Sequence, residues 1–333
     1  MKKFILAVLG ILLFLVFTVF LAFQLSPRPG VWIIRQGFKH DPITNQQKYE
    51  KAAPTVETIH NINYTSSFTK NSADIYYKKG STKPQPTIFW LHGGGFVAGD
   101  KEALKEYATY LVNETGYTVV SLDYEVAPDA KYPSQVKQTQ EAYQYFKEQE
   151  ARYPMIDFSK VMFGGDSAGA QIAAQFVLIQ TNPVYRQEMD FPQAVAPETI
   201  KGAVLYCGPY DLKQILQEKS DDRFVRFFVQ TVGWALSGQK DWKNWSKVDE
   251  ISLVDHLTKD YPPVFVTDGN AYSFQEQGIA FVDRLNQLGV PTESLFYNNE
   301  KKAVNHEYQF DFTDEKAWDC FDQTVAYMRN IFE

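Results

Sequence analysis

Gly165-Asp166-Ser167-Ala168-Gly169 places a serine between two glycines, after the apolar run Val161-Met162-Phe163 and before an Ala- and Ile-rich stretch from Ala168 to Gln180. A serine on a tight strand-to-helix turn has its hydroxyl pushed outward, ready to attack a carbonyl carbon. Such a turn is crowded, so its flanks need glycine. The Ala168 amide and the start of the next helix would then face a developing oxyanion. Upstream, His92-Gly93-Gly94-Gly95-Phe96 follows the apolar Thr87–Leu91. Glycines there let the backbone approach a substrate and aim N–H groups at its carbonyl oxygen. This reading takes Gly93 and Gly94 as donors and Ala168 as the third. The turn lacks the Lys-Ser/Thr ending of a phosphate loop. His92 is expected to brace the loop rather than react.

The elements that must position these residues alternate. Apolar strands are expected at 87–91, 118–122, 161–163, 202–206, 264–267 and 293–297. Helices are expected at 102–113, 135–150, 168–180, 274–288 and 315–332. Strands apolar throughout, separated by helices, imply α/β architecture: a mostly parallel central sheet with helices on both faces. Ligands in such sheets bind at the carboxyl ends of the strands, where every motif above falls. A nucleophile elbow also needs a base after the final strand. Of His40, His60, His92, His256 and His306, only His306 lies there. It is the expected base, taking the proton from Ser167 and passing it to the leaving alkoxide.

His-Gly-Gly-Gly-Phe, then Asp123-Tyr124-Glu125-Val126-Ala127-Pro128, then Gly-Asp-Ser-Ala-Gly, resembles the hormone-sensitive-lipase-like esterase/lipase family over roughly residues 85–330. The resemblance implies the α/β-hydrolase fold with a helical cap, and hydrolysis of mainly short acyl esters. Glu125 stands where that family usually has Arg, at a structural position. The family's triad acid aligns with Tyr272, which cannot serve. Asp268, in Thr267-Asp268-Gly269-Asn270, is the favoured replacement. Glu276 is the alternative acid, Asp211 follows, and an orienting Asn270 or carbonyl remains.

Lys2 and Lys3 precede an uncharged apolar run, Phe4 to Phe23. About 20 helical residues match the roughly 30 Å hydrocarbon core. Residues 1–25 are therefore expected to be an N-terminal transmembrane anchor, single-pass, with a cleaved signal as the rival. The N-terminal lysines favour a cytoplasmic N-terminus and an extracytoplasmic domain, although Arg28, Arg35 and Lys39 weaken that bias. Residues 26–55, with four prolines from Pro27 to Pro54, read as a linker and cap lead-in. Residues 56–333 read as the catalytic domain, with a cap insert at about 212–255 rich in aromatics such as Phe224, Phe228, Trp234, Trp242 and Trp245. Such aromatics suit either a lid over the site or packing of the insert on the core.

The chain has 333 residues, a net charge of −7 and two cysteines. There is no basic stripe of the kind a nucleic-acid partner requires. Two cysteines are too few for a disulfide framework or a structural zinc site. Cys207 and Cys320 are expected to be buried thiols. No metal and no organic cofactor is implied. The favoured function is cleavage of a small-molecule carboxylic ester of short to medium acyl length. The rivals are a deacetylase of an acetylated sugar or wall polymer, and a binding protein whose triad has decayed.

Overall fold

Strands buried along their whole length need cover on both sides, and the sequence supplies it. Thr118–Leu122 and Val264–Asp268 are buried at every position. The computed structural model describes residues 1–38, 43–217, 220–298 and 300–333. Lys39, His40 and Pro42 of the sequence reading lie outside the described residues. The chain opens with α1 (Lys2–Leu25), α2 (Arg28–Gly37) and α3 (Gln46–Ala52). Next come β1 (Val56–Asn63), β2 (Ser72–Lys78), β3 (Gln85–Leu91), α4 (Lys105–Thr115), β4 (Thr118–Leu122) and α5 (Ser134–Glu148). The central part holds β5 (Ile156–Asp166), α6 (Ala168–Thr181), α7 (Pro183–Glu188) and β6 (Ile200–Tyr206). The insert contributes α8 (Leu212–Gln217), α9 (Arg223–Ser237) and α10 (Val248–Ile251). The chain closes with β7 (Val264–Asp268), α11 (Gln275–Gln287), β8 (Thr292–Phe296) and α12 (Glu315–Phe332).

The strands form one eight-stranded sheet in the order β1-β2-β4-β3-β5-β6-β7-β8. β1 and β2 run antiparallel at one edge, and β4 onward is parallel. The sequence reading did not include β1 and β2, because an edge pair with one wet face has no continuous apolar run. Two apolar cores lie on the two faces. One packs α5, α6 and the cap against Phe89, Phe163 and Leu205. The other packs α4 and α12 against Trp90, Met162 and Tyr206. Cys207 and Cys320 are free and buried.

The segment 26–55 carries helices as well as turns. α2 buries Val31 and Ile34 against Val97, Ala98, Ala127 and Ala235. Its Gly30 lies against Thr231 and Phe227 of α9, where any Cβ would collide. α9 is delimited by its ends: Asp222 accepts from the Phe224 and Val225 amides, and Gly238 closes it at φ 75°. Among the described helices α1 alone is long and apolar enough to cross a membrane. Its most apolar 18-residue window has a mean hydropathy of 3.1, and none of that window is buried.

Candidate active site

β5 ends in Gly164-Gly165-Asp166 and α6 starts at Ala168, so Ser167 is the turn itself. Its φ of 49° and ψ of −117° put a non-glycine residue in strained backbone, held by its amide donating to Tyr206 O at 2.8 Å. The two flanking glycines have separate steric reasons. A Cβ on Gly165 would strike the Gly169 backbone and the Leu91 carbonyl, and one on Gly169 would strike the Leu91 and His92 carbonyls. The elbow and the end of β3 therefore touch backbone to backbone. That contact brings the glycine-rich loop beside Ser167.

His306 comes from the loop after β8. Its Nε2 lies 2.9 Å from Ser167 Oγ. Its amide donates to Ala271 O, while the Asn270 and Ala271 amides donate to Val304 O. The Asn270 side chain stitches the same two loops, donating to Tyr297 O and Glu300 O and accepting from the Val304 amide. Gly269 is needed where they cross, since a Cβ would strike the Val304 and Asn305 carbonyls. The Phe274 ring stands edge-on to the imidazole at 5.6 Å.

Asp268, at the end of β7, is 1% exposed, and its Oδ1 lies 3.6 Å from His306 Nδ1. That is an ion-pair separation slightly longer than a hydrogen bond. The carboxylate is oriented by the amides of Gly269 and Phe274, each donating at 2.7 Å. The other candidates lie elsewhere. Glu276 is exposed at the start of α11 and lines the cleft. Asp211 caps α8, accepting from the Lys213 and Gln214 amides. Asn270 is fully used in its loop staple. Tyr272, at the family's acid position, is 76% exposed with φ 52°.

The oxyanion assignment needs one correction. The Gly93 amide donates to Asp166 Oδ2 at 2.6 Å and so points away from any substrate. Asp166 reaches it because Trp90 Nε1 holds the other carboxylate oxygen at 2.7 Å. The amides of Gly94, Gly95 and Ala168 have no hydrogen-bond partner among the described residues. Gly95 and Ala168 line the cleft with Ser167. Gly94 (φ 114°) and Gly95 (φ 59°) occupy backbone that other residues avoid. His92 braces this loop. Nδ1 lies 2.7 Å from Gly93 O, its ring stacks on Tyr124 at 4.2 Å, and burial, helped by the Lys70 charge, holds its pKa down to about 3. Glu125 accepts from the amides of Thr69 and Lys70, a structural role like that expected of the position.

The electrostatics single out Glu307, which the sequence reading passed over. Its carboxylate and that of Asp166 both crowd the point where a Gly93 Cβ would be. Burial, then the Glu307 charge, pushes the Asp166 carboxyl up to about 8 against its Trp90 and Gly93 donors. Burial works to lower the His306 pKa. Asp268 and the Glu307 and Asp166 charges outweigh it, and the net shift is upward. The one sequence signal for Glu307 was its charge directly after His306.

Cys207, Asp268 and His306 offer ligand atoms within 4.8 Å of one another. They are a poor metal set. Burial, then the Asp268 charge, pushes the Cys207 thiol well up, against the thiolate a metal needs.

A cleft of about 710 Å³ opens over Ser167 and His306. Its far walls are Ile34, Gly37 and Phe38 at the end of α2, with Phe224, Phe228 and Trp242 of the insert. Of the insert's aromatics, Phe228 presses on Gly95 in the cleft, while Trp245 packs edge-on against Tyr132 at 5.3 Å in the core.

An eight-stranded, mostly parallel sheet with an elbow serine and a late histidine defines the α/β-hydrolase class. A family model described as alpha/beta hydrolase fold matches residues 88–306, and the chain belongs to that family. It is similar to a protein named as an α/β hydrolase in Acanthamoeba polyphaga mimivirus, 26% identical over 229 residues, covering 67% of this chain and 62% of that one. An acetyl esterase of Salmonella paratyphi B is 37% identical over 102 residues, 30% of this chain and 31% of that one. The chain thus spans less than two thirds of these relatives' length. Among solved structures, esterase B from Lactobacillus rhamnosis superposes with a TM-score of 0.71 at 16% identity, covering 91% and 96% of the two chains. The Pyrobaculum calidifontis esterase gives 0.64 at 20%, covering 90% and 97%. These likenesses establish the fold.

Proposed function

We propose that the protein is a membrane-anchored carboxylic ester hydrolase acting through an acyl-enzyme on Ser167. The 2.9 Å approach of Ser167 Oγ to His306 Nε2 carries this reading. His306 accepts the hydroxyl proton as Oγ attacks the ester carbon. The amides of Gly94, Gly95 and Ala168, the last at the α6 N-terminus, stabilise the oxyanion. The imidazolium then protonates the leaving alkoxide, and water, activated by the same histidine, releases the acid. Asp268 is the third member, fixing the tautomer of His306 and balancing its transient charge. The cleft's apolar walls suit short to medium acyl chains. α1 serves as an uncleaved span, and Lys2 and Lys3 favour an extracytoplasmic catalytic domain.

The acetyl esterase relatives favour a second reading, removal of acetyl groups, for which the proposed substrate is an acetylated sugar or wall polymer. Hydrolysis of p-nitrophenyl acetate, butyrate and octanoate decides between them. The ester hydrolase keeps activity on butyrate and octanoate, while a deacetylase drops steeply after acetate. A folded protein inactive on all three would leave the decayed binding protein as the better reading.

A further inference from the structure

α1 and the cleft wall are joined at one place. α1 ends at Leu25 and α2 begins at Arg28. Lys240, just past α9, donates to the main-chain and side-chain oxygens of Gln24 at 2.9 and 2.7 Å. Arg28 pairs with Asp129 on the catalytic body at 2.8 Å. The last turn of an apolar helix is thus tied to the two helices that wall the cleft. α2 turns Val31 and Ile34 inward, which leaves Trp32 65% and Ile33 43% exposed on its outer side. Phe224, at the start of α9, is 61% exposed while lining the cleft. Exposed Trp and aliphatic groups next to a span, with Arg28 and Lys240 at the same level, match the chemistry of a bilayer interface. Ten helical residues extend about 15 Å, so the cleft-lining end of α2 stays within about 15 Å of its membrane-proximal start.

We propose that the Trp32–Ile33 face of α2 lies in the interfacial layer of the bilayer holding α1, and that the cleft draws its substrate from that layer. The substrate class is a neutral acyl ester lipid of the acylglycerol type. Neutrality follows from the carboxylates of Glu276 and Glu307 in the cleft, which repel an anionic headgroup. The inference rests on the esterase reading and on α1 as a span.

The test uses the full-length chain in phosphatidylcholine nanodiscs carrying a diacylglycerol, with p-nitrophenyl butyrate supplied from water to the same sample. A Trp32→Ser/Ile33→Ser variant is expected to lose about tenfold or more on the bilayer-held ester, since two apolar side chains leave the interface. It keeps the soluble ester within about twofold, and Trp32→Tyr alone retains both activities. Equal rates for wild type and variant on diacylglycerol overturn the proposal, as does a parallel loss on both substrates. A wild type that cleaves butyrate but not the bilayer-held lipid overturns it and leaves the esterase reading intact. Inactivity on both substrates removes the esterase reading itself.

Discussion

The floor of the cleft and its roof are held by different forces. On the floor, β3, the elbow and the His306 loop meet through backbone: Gly165, Gly169 and Gly269 exist because a carbonyl occupies the space of their missing Cβ. On the roof, α2 and α9 meet mostly through apolar side chains such as Ile34, Phe227 and Val232. Backbone contact defines atomic positions tightly and tolerates no added methyl group. Side-chain contact fills volume and tolerates repacking. Ser167 and His306 thus sit in the part that tolerates least change, and much of the cleft wall in the part that tolerates more.

The sharpest break in that comparison is Ser167→Ala. Removing the nucleophile should reduce kcat on p-nitrophenyl butyrate by on the order of 10⁵–10⁶, with the fold intact by circular dichroism. A residual rate near wild type would mean that another group carries the reaction. Asp268→Asn should cost about 10²–10⁴ in kcat, and Glu276→Gln about twofold or less, measured side by side. The reverse order would transfer the acid to α11.

The pH profile sharpens the floor further. Catalysis needs neutral His306, so the acid limb of kcat/KM should lie above the ordinary imidazole value of 6.5. Glu307→Gln removes a negative charge that raises that pKa, so the limb should move to lower pH with kcat near wild type at pH 8. Asp268→Asn should move it the same way but with kcat lost. An unmoved limb in Glu307→Gln would show that its charge does not reach the imidazole. The roof is tested through selectivity rather than rate. Phe228→Ala frees space beside Gly95 and should shift the octanoate-to-acetate preference by about tenfold, with activity retained.

The same division explains what could be read in the sequence. Ser167, the glycine triplet and the sheet were legible because each depends on a few consecutive residues. The placement of His306 beside Ser167 was legible through chain order. The placement of Asp268 beside His306 was harder to read, because the two are brought together by the staple between Asn270 and Val304, 34 positions apart. Gly93 was misassigned because its amide is consumed by Asp166, the variable residue of the elbow motif, 73 positions away. The contribution of α2 to the roof was only suggested, since prolines made its surroundings read as a linker.

The Asn270 staple has a consequence for how the molecule fails. Three hydrogen bonds from one amide side chain fasten the loop that carries His306 to the end of β7, while the Tyr297, Val304 and Tyr308 side chains of that loop dip into the second core. Such a loop can open by itself at a fraction of the free energy that global unfolding demands. Competence and foldedness are then separate quantities: a warmed population can keep its sheet, its cores and its spectroscopic signature while the imidazole has already left the serine.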